Sequence, residues 1–335
     1  MPAGFATPEG TARYAARHGK PDFYRTAQGL TVSSLGLGSY LGPMTDAADA
    51  GYRDAVAAAL SGGINFLDTS LNYRNQRSER ALAAGIRQAM TRGLNRDEFV
   101  VCTKAGYLVP DAVPAGVLHP EDIVGGMHCL APAFLEDQLE RSRRNLELET
   151  IDVFYLHNPE TQLQPLGDDA FYERIRLAFF ACEQFAAAGR IRFYGTATWN
   201  GYRQKGGLSL RWLASLAREA GGDHHHFRFI QLPFNLAMTE ALRNGVLEQA
   251  REFGISVVTS ASILQSRLVQ GLPEELHPRF PGAATDAQRA IQFARSAPGV
   301  GVALVGMSRI EHVEENLGVS AFPPLSEHEF AALFQ

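Results

Sequence analysis

The sequence predicts an α/β protein of one closed architecture, a (β/α)8 barrel of the TIM type. Three observations point there. Short β-rich runs alternate with amphipathic helical runs along the chain. The alternation recurs about eight times without a clear boundary, which favours a closed barrel over an open sheet. The length, 335 residues, suits one such barrel.

Residues 32–37 read as the first strand, with a helix before Gly62. Residues 64–67 (INFL) form the second strand, and Leu82, Ile86 and Met90 then recur at helical spacing. The third strand covers 99–103. Leu135, Leu139 and Leu146 mark one face of the helix that follows it. Residues 151–156 are the fourth strand. A long helix then runs through Phe171, Ile175, Phe179 and Cys182, with Gly189 at its C-terminal stop. The fifth strand, 191–194, leads to a helix around Leu213 and Leu216. The sixth, 227–232, leads to one helix through Leu242, Val246 and Phe253 that stops at Gly254. The seventh, 255–259, precedes a helix over 287–294. The eighth, 301–305, precedes a short helix around Val313 and Leu317. Ser326 and Glu329 have capping-box spacing, so the tail ends in one more helical piece.

Two segments depart from the rhythm within this single domain, 1–335. Residues 1–30 are an N-terminal extension, read as a hairpin over the bottom of the barrel. Residues 105–132 are an insertion after the third strand, with several prolines and glycines and no clear period. The insertion is either a neutral surface excursion or a lid and pocket wall, and its length inside a compact domain favours the second.

Composition bounds the function. The chain is 45% hydrophobic and 20% charged, ordinary for a globular enzyme with a large core. A net charge of -5 is too mild to imply nucleic acid or a membrane surface. No apolar run is long enough to span a bilayer, and the N-terminus has no secretory pattern. Cys102, Cys129 and Cys182 are an odd, sparse set, which suggests a reducing cytoplasm over a disulfide framework.

Four polar residues stand where apolar strands end: Asp68, Tyr73 just beyond it, Lys104 and His157. All strand C-termini of a barrel meet on one face, so these residues converge. Together they suit reversible carbonyl reduction. Hydride arriving at a carbonyl carbon leaves negative charge on oxygen, and a proton must follow. A tyrosine can donate it, although its reference pKa is about 10. A lysine cation nearby lowers that value, and an aspartate holds the lysine charged. A histidine can orient the oxygen. Singly, each residue has a structural explanation: a helix cap, a solvated lysine, a core histidine, a packing tyrosine. Their weight lies in ordered co-occurrence.

With these residues in view, the chain resembles the aldo-keto reductase family. GGINFLDTSLNYRNQRSERALAAGI is similar to the family's Asp and Tyr motif, and FVVCTKAG to its lysine strand. LERSRRNLELETIDVFYLHNPE is similar to its histidine strand. IQLPFNL and LVGMSRIEHVEENL resemble later cofactor segments. The likeness spans residues 32–317. It implies a barrel enzyme that uses NADP(H) on a small carbonyl or alcohol substrate. Asp68, Tyr73, Lys104 and His157 would be the tetrad, with Tyr73 as general acid and base. It further implies Gly38, Ser39 and Tyr40 near the nicotinamide and Gln231 at the carboxamide. Gly306, Ser308 and Arg309 would lie at the phosphates, where a helix N-terminus favours anions, and Glu315 and Asn316 at adenine. Thr198 stands where the family usually has Asn, and Thr259-Ser260-Ala261 where it has an aromatic stack. The C-terminal region lacks the long substrate loop of many members, so Tyr107, in the insertion, and Trp199 are assigned to the substrate pocket.

Two other readings compete. An NADP(H)-binding regulatory protein with little turnover would share the resemblance, but an intact tetrad disfavours it. A metal-dependent barrel hydrolase would need ligands. His224, His225 and His226 read as a solvated loop at the barrel bottom. His119, His128 and Cys129 make no complete set, so no metal is expected.

Overall fold

The computed structural model describes residues 3–109, 113 and 116–335. Eight parallel strands close into a barrel: β3 (Leu35–Gly38), β4 (Phe66–Asp68), β5 (Val100–Ala105), β6 (Ile151–His157), β7 (Ile191–Ala197), β8 (Phe227–Pro233), β9 (Ser256–Ser260) and β10 (Val300–Gly306), with β10 pairing back onto β3. The outer ring comprises α2 (Asp46–Gly62), α3 (Arg77–Met90), α4 (Pro132–Leu146), the short α5 (Leu163–Leu166), α6 (Asp168–Ala187), α7 (Leu210–Gly221), α8 (Glu240–Arg243), α9 (Val246–Glu252), α10 (Asp286–Ser296) and α11 (Ile310–Leu317). The tail helix α12 (Glu327–Ala332) starts at the expected capping box between Ser326 and Glu329. Among the described residues no helix is long and apolar enough to cross a membrane.

Strand alternation sorts the core into two parts. Phe66, Val100, Cys102, Val153, Tyr155, Phe229, Val258, Val302 and Leu304 fill the barrel interior. Their neighbours in sequence, among them Leu67, Val101, Phe154, Ile230 and Val305, pack in a separate cluster with the helices. Burial on both faces explains why these strands read as continuous apolar runs.

The N-terminal extension does contain a hairpin, β1 (Tyr24–Ala27) with β2 (Leu30–Ser33). Its Ala27, Leu30 and Val32, with Ala6, join the barrel-interior cluster and close the bottom. It also contains a helix missing from the sequence reading, α1 (Pro8–His18), with Thr7 capping Gly10 N and Pro8 in the first turn. Two strand and helix boundaries need correction. The expected first strand, 32–37, is broken: Val32 belongs to the hairpin, Ser34 N turns away to donate to Phe23 O (2.7 Å), and the barrel strand starts at Leu35. The single helix expected through Leu242 and Phe253 is two pieces, because Gly245 adopts φ 72° between α8 and α9.

A buried ion pair fixes the lower rim. Asp152 accepts from Arg96 Nη2 (2.7 Å), Val101 N (2.8 Å) and Ala6 N (2.7 Å). Arg96 also donates to the carbonyls of Phe99 and Thr150. One carboxylate thus joins β5, β6 and the N-terminal extension. We expect Asp152→Ala to strand the Arg96 cation and lower unfolding free energy by about 3–5 kcal/mol, read by urea denaturation. A loss within the range of an exposed pair, about 1 kcal/mol or less, would show that the pair does not hold the rim.

Candidate active site

The same alternation carries polar residues inward at the upper ends of the strands. Asp68 follows Phe66 by two positions, Lys104 follows Cys102, His157 follows Tyr155 and Gln231 follows Phe229. Side chains two apart share a strand face, so each of these four continues the inward row as it reaches the mouth. Register sets their heights: Asp68 lies beside Cys102, Lys104 beside Tyr155, and Ala197 beside both His157 and Gln231.

Lys104 Nζ donates to Asp68 Oδ1 at 2.5 Å and to Thr69 O at 2.7 Å. Gln231 Nε2 donates to the other carboxylate oxygen at 2.8 Å. Burial opposes the Lys104 charge, but Asp68 and then Tyr73 outweigh it, and its pKa is raised. The ammonium lies 4.9 Å from the centroid of the Tyr73 ring. Tyr73 sits in the turn between β4 and α3. The next residue, Arg74, anchors that turn to the segment after Tyr40 through Pro43 O (3.0 Å) and Asp49 Oδ1 (2.5 Å). The Tyr40 and Tyr73 rings are 4.9 Å apart. Burial pushes the Tyr73 hydroxyl up to about 12, outweighing Lys104, which lowers its pKa as its charge predicts.

His157 completes the group, its ring 5.7 Å from that of Tyr73. Burial, then the Lys104 charge and His128, hold its pKa well below the ordinary histidine value, so the imidazole is neutral at physiological pH. Its Nδ1 is 3.2 Å from Ser70 Oγ. Beneath it, His128 Nε2 donates to His157 O (2.7 Å), while its Nδ1 accepts from Gln162 Nε2 (2.9 Å). Burial lowers the His128 pKa to about 4, so this neutral tautomer persists. Gly106 makes room for it: at φ 146°, a Cβ there would lie 2.7 Å from His128 Nε2.

Asp68, Tyr73, His157 and Gln231 border one cavity of about 520 Å³, a size typical of small-molecule sites. Gly38, Ser39, Tyr40, Asp68, Tyr73, Tyr107, His157, Thr198, Trp199, Gln231 and Gly306 all line it. Ser39 turns its hydroxyl into the protein, onto Thr69 Oγ1 (2.9 Å). Lys104 lies behind the lining. Ser308, Arg309, Glu315 and Asn316 lie beyond the cavity, on and just before α11. Arg309 is its exposed N-cap, donating to His312 Nε2 (2.7 Å). Glu315 is exposed and Asn316 is buried.

Of the insertion, Tyr107 lines the cavity, with its ring 5.0 Å from both His128 and His157. Val109 packs on Leu71, Asp122 pairs with Arg174 of α6, and Met127 is 57% exposed. Residues 110–112, 114 and 115 of the insertion lie outside the described set. The histidines before β8 are not a uniformly solvated loop: His225 is buried, and His226 pairs with Glu183 (2.6 Å). Among the described residues no group of three His, Cys, Asp or Glu side chains could hold a metal ion.

Sequence reasoning missed the loop after β9. Ser262, Ile263, Gln265 and Ser266 line the cavity, and Ala261, Leu264, Gln265 and Ser266 have positive φ. Their position beyond the seventh strand was the available signal, but nothing in the residue types announced the left-handed turns. Ser262 borders the cavity, and its buried hydroxyl has no hydrogen-bond partner among the described residues. A Cβ on Gly306 would meet nothing within 4 Å, so protein packing leaves space above its bare backbone. Both features are those of a ligand cradle.

A family model described as the aldo/keto reductase family matches residues 34–281. The chain is 28% identical over 324 residues to a D-threo-aldose 1-dehydrogenase from a Pseudomonas species, covering 88% of this chain and 91% of the relative. It is 24% identical over 313 residues to L-galactose dehydrogenase of Arabidopsis thaliana, covering 86% and 84%. Among solved structures, an aldo/keto reductase from Klebsiella pneumoniae in complex with NADP and acetate superposes with a TM-score of 0.68. It shares 22% identity and covers 93% of this chain and 94% of that one, a likeness of fold.

Proposed function

This chain belongs to the aldo/keto reductase family, and from that premise we propose that it is an NADP(H)-dependent oxidoreductase acting on a small carbonyl or alcohol substrate, with Tyr73 as general acid and base. The observation that carries this reading is the buried Lys104–Asp68 pair set beneath Tyr73, with a neutral His157 across the same cavity. No nucleic acid or membrane partner is invoked. Three buried, unpaired cysteines are compatible with a cytoplasmic protein.

The lining fits a dinucleotide. Gly38 and Gly306 offer bare backbone, and among the described residues neither the Ser262 hydroxyl nor the Gln231 amide oxygen has a hydrogen-bond partner. Ser308 and Arg309 stand at the start of α11, where backbone N–H groups and a guanidinium suit phosphate, and Glu315 and Asn316 on the same helix suit the adenine end. When bound there, the nicotinamide supplies or accepts the hydride. The protein's own residues then manage the proton and the charge. His157, neutral, donates a hydrogen bond to the substrate oxygen. Tyr73 gives that oxygen its proton in reduction and takes it back in oxidation. Lys104 stabilises the resulting tyrosinate, and Asp68 and Thr69 hold the ammonium in place. Tyr107 and Trp199 wall the substrate side, beside the amides of Asn72 and Asn158. Aromatic walls with amide donors, and the names of the two dehydrogenase relatives, make aldoses the first substrates to test. An intact tetrad disfavours a regulatory protein with little turnover.

We expect Tyr73→Phe to lower kcat by about 100- to 10,000-fold with cofactor affinity nearly unchanged, measured by steady-state kinetics and fluorescence titration of NADPH. Normal turnover by this variant would remove Tyr73 from its role. The raised Tyr73 pKa also fixes a pH dependence. Below about 12 the hydroxyl is protonated, so reduction is flat through neutral pH. Oxidation needs the tyrosinate, whose fraction grows about tenfold per pH unit in that range, so kcat/KM for the alcohol rises with pH. An oxidation rate that falls toward alkaline pH would contradict this. Arg309→Ala should weaken NADP(H) by about tenfold and NAD(H) much less. Equal weakening of both would show that Arg309 does not read the 2′-phosphate.

A further inference from the structure

We propose that Glu160 is a specificity-positioning residue, which fixes Trp199 as a wall of the substrate cavity by gathering three consecutive backbone amides. The inference rests on reading that cavity as the carbonyl site. Glu160 follows His157 by three residues, in the turn after β6. Its Oε1 accepts from Trp199 N (2.9 Å), Asn200 N (2.9 Å) and Gly201 N (3.0 Å). Three successive N–H groups aimed at one anionic oxygen form a closed nest. The loop they belong to leaves β7 and contains Gly201, Gly206 and Gly207, residues that add backbone freedom which bonds from outside must remove. Thr198 N also bonds to Gln231 O at 2.8 Å. Further along, the loop is held by Tyr202 Oη with Thr196 Oγ1 (2.7 Å) and by Arg203 with Glu240 (2.9 Å). Among the described residues only Glu160 bonds the amide of Trp199 itself. Trp199 is 36% exposed and borders the cavity with His157, Asn158 and Tyr107. Glu160 therefore ties the turn that follows His157 to the loop carrying Trp199.

A purely structural cap would not require this residue. Glu160 Oε2 is buried and has no partner among the described residues, a state that costs more for a carboxylate than for a neutral acceptor. The carboxylate secures the amide nest more tightly than a neutral oxygen can, and what that tightness governs is the place of one indole.

The chain has two tryptophans, Trp199 and Trp212, so Trp212→Phe leaves Trp199 as the sole indole reporter. In that background Glu160→Ala should red-shift Trp199 emission and increase its quenching by acrylamide. It should raise substrate KM about 10- to 100-fold while NADPH affinity stays near wild type. Glu160→Gln, whose amide oxygen can still accept, should recover part of the loss. In a Trp199→Ala background Glu160→Ala should add almost nothing, because the residue it positions is gone. An equal KM effect with or without Trp199, or unchanged emission and KM in Glu160→Ala, would overturn the proposal. Loss of NADPH affinity in place of substrate affinity would overturn it as well. If the wild type turns over no carbonyl or alcohol, the reading of the cavity falls separately. The emission measurement then still decides the clamp: a red shift supports it and no shift refutes it.

Discussion

A lysine ammonium buried inside a barrel survives only if its charge is matched where it stands. Lys104 is 1% exposed, and its Nζ is held by the Asp68 carboxylate and the Thr69 carbonyl. Asp68 in turn needs its second oxygen satisfied, and Gln231 reaches across from β8 to do so. Removing either member of such a pair leaves an uncompensated charge, which is far more destabilising than the pair is stabilising. That requirement fixes the relative heights of β4, β5 and β8 and the rotation of each strand. It also fixes the electrostatics of the cavity floor. Tyr73 keeps its proton because burial outweighs the cation beside it, and His157 stays neutral because burial and the same cation both disfavour its charge.

The two ends of the barrel divide the work. At the bottom, Arg96 and Asp152 bond to each other and to the surrounding backbone, and the hairpin residues Ala27, Leu30 and Val32 seal the interior. At the top, among the described residues, Ser262 Oγ has no partner, Gln231 uses one of its two amide ends, and Gly306 leaves open space. The insertion adds a second layer below the histidine. His128 locks the His157 carbonyl from underneath, and Tyr107 covers both rings from the side.

Much of this was legible in the residues. The eight strands, most of the helices and the convergence of Asp68, Tyr73, Lys104 and His157 follow from apolar periodicity and from the rule that strand C-termini share a face. What escaped had physical causes. The break at Ser34 depends on a bond to Phe23 O, distant in pattern though near in sequence. The split at Gly245 was visible as a glycine, yet only its left-handed φ makes it a break. The helix over Pro8–His18 was announced by Thr7 and Pro8, a cap signal without a strong apolar stripe behind it. Lys104 acts on Tyr73 in the expected direction, yet the net shift is upward, because a sequence reveals the neighbouring cation but not the depth of burial that opposes it. The Ser262–Ser266 wall depends on left-handed residues that composition does not mark.

The claim on which the chemistry rests is that Lys104 restrains the proton affinity of Tyr73 from within the barrel. The direct measurement is the pH dependence of alcohol oxidation in Lys104→Met beside the wild type. The cation is the strongest influence lowering the Tyr73 pKa, so without it the base form is rarer at every pH. The expected result is slower oxidation whose alkaline rise is displaced to higher pH, with Asp68 still present. An unchanged pH profile, or one displaced toward acid, would contradict a role for Lys104 in setting the Tyr73 proton.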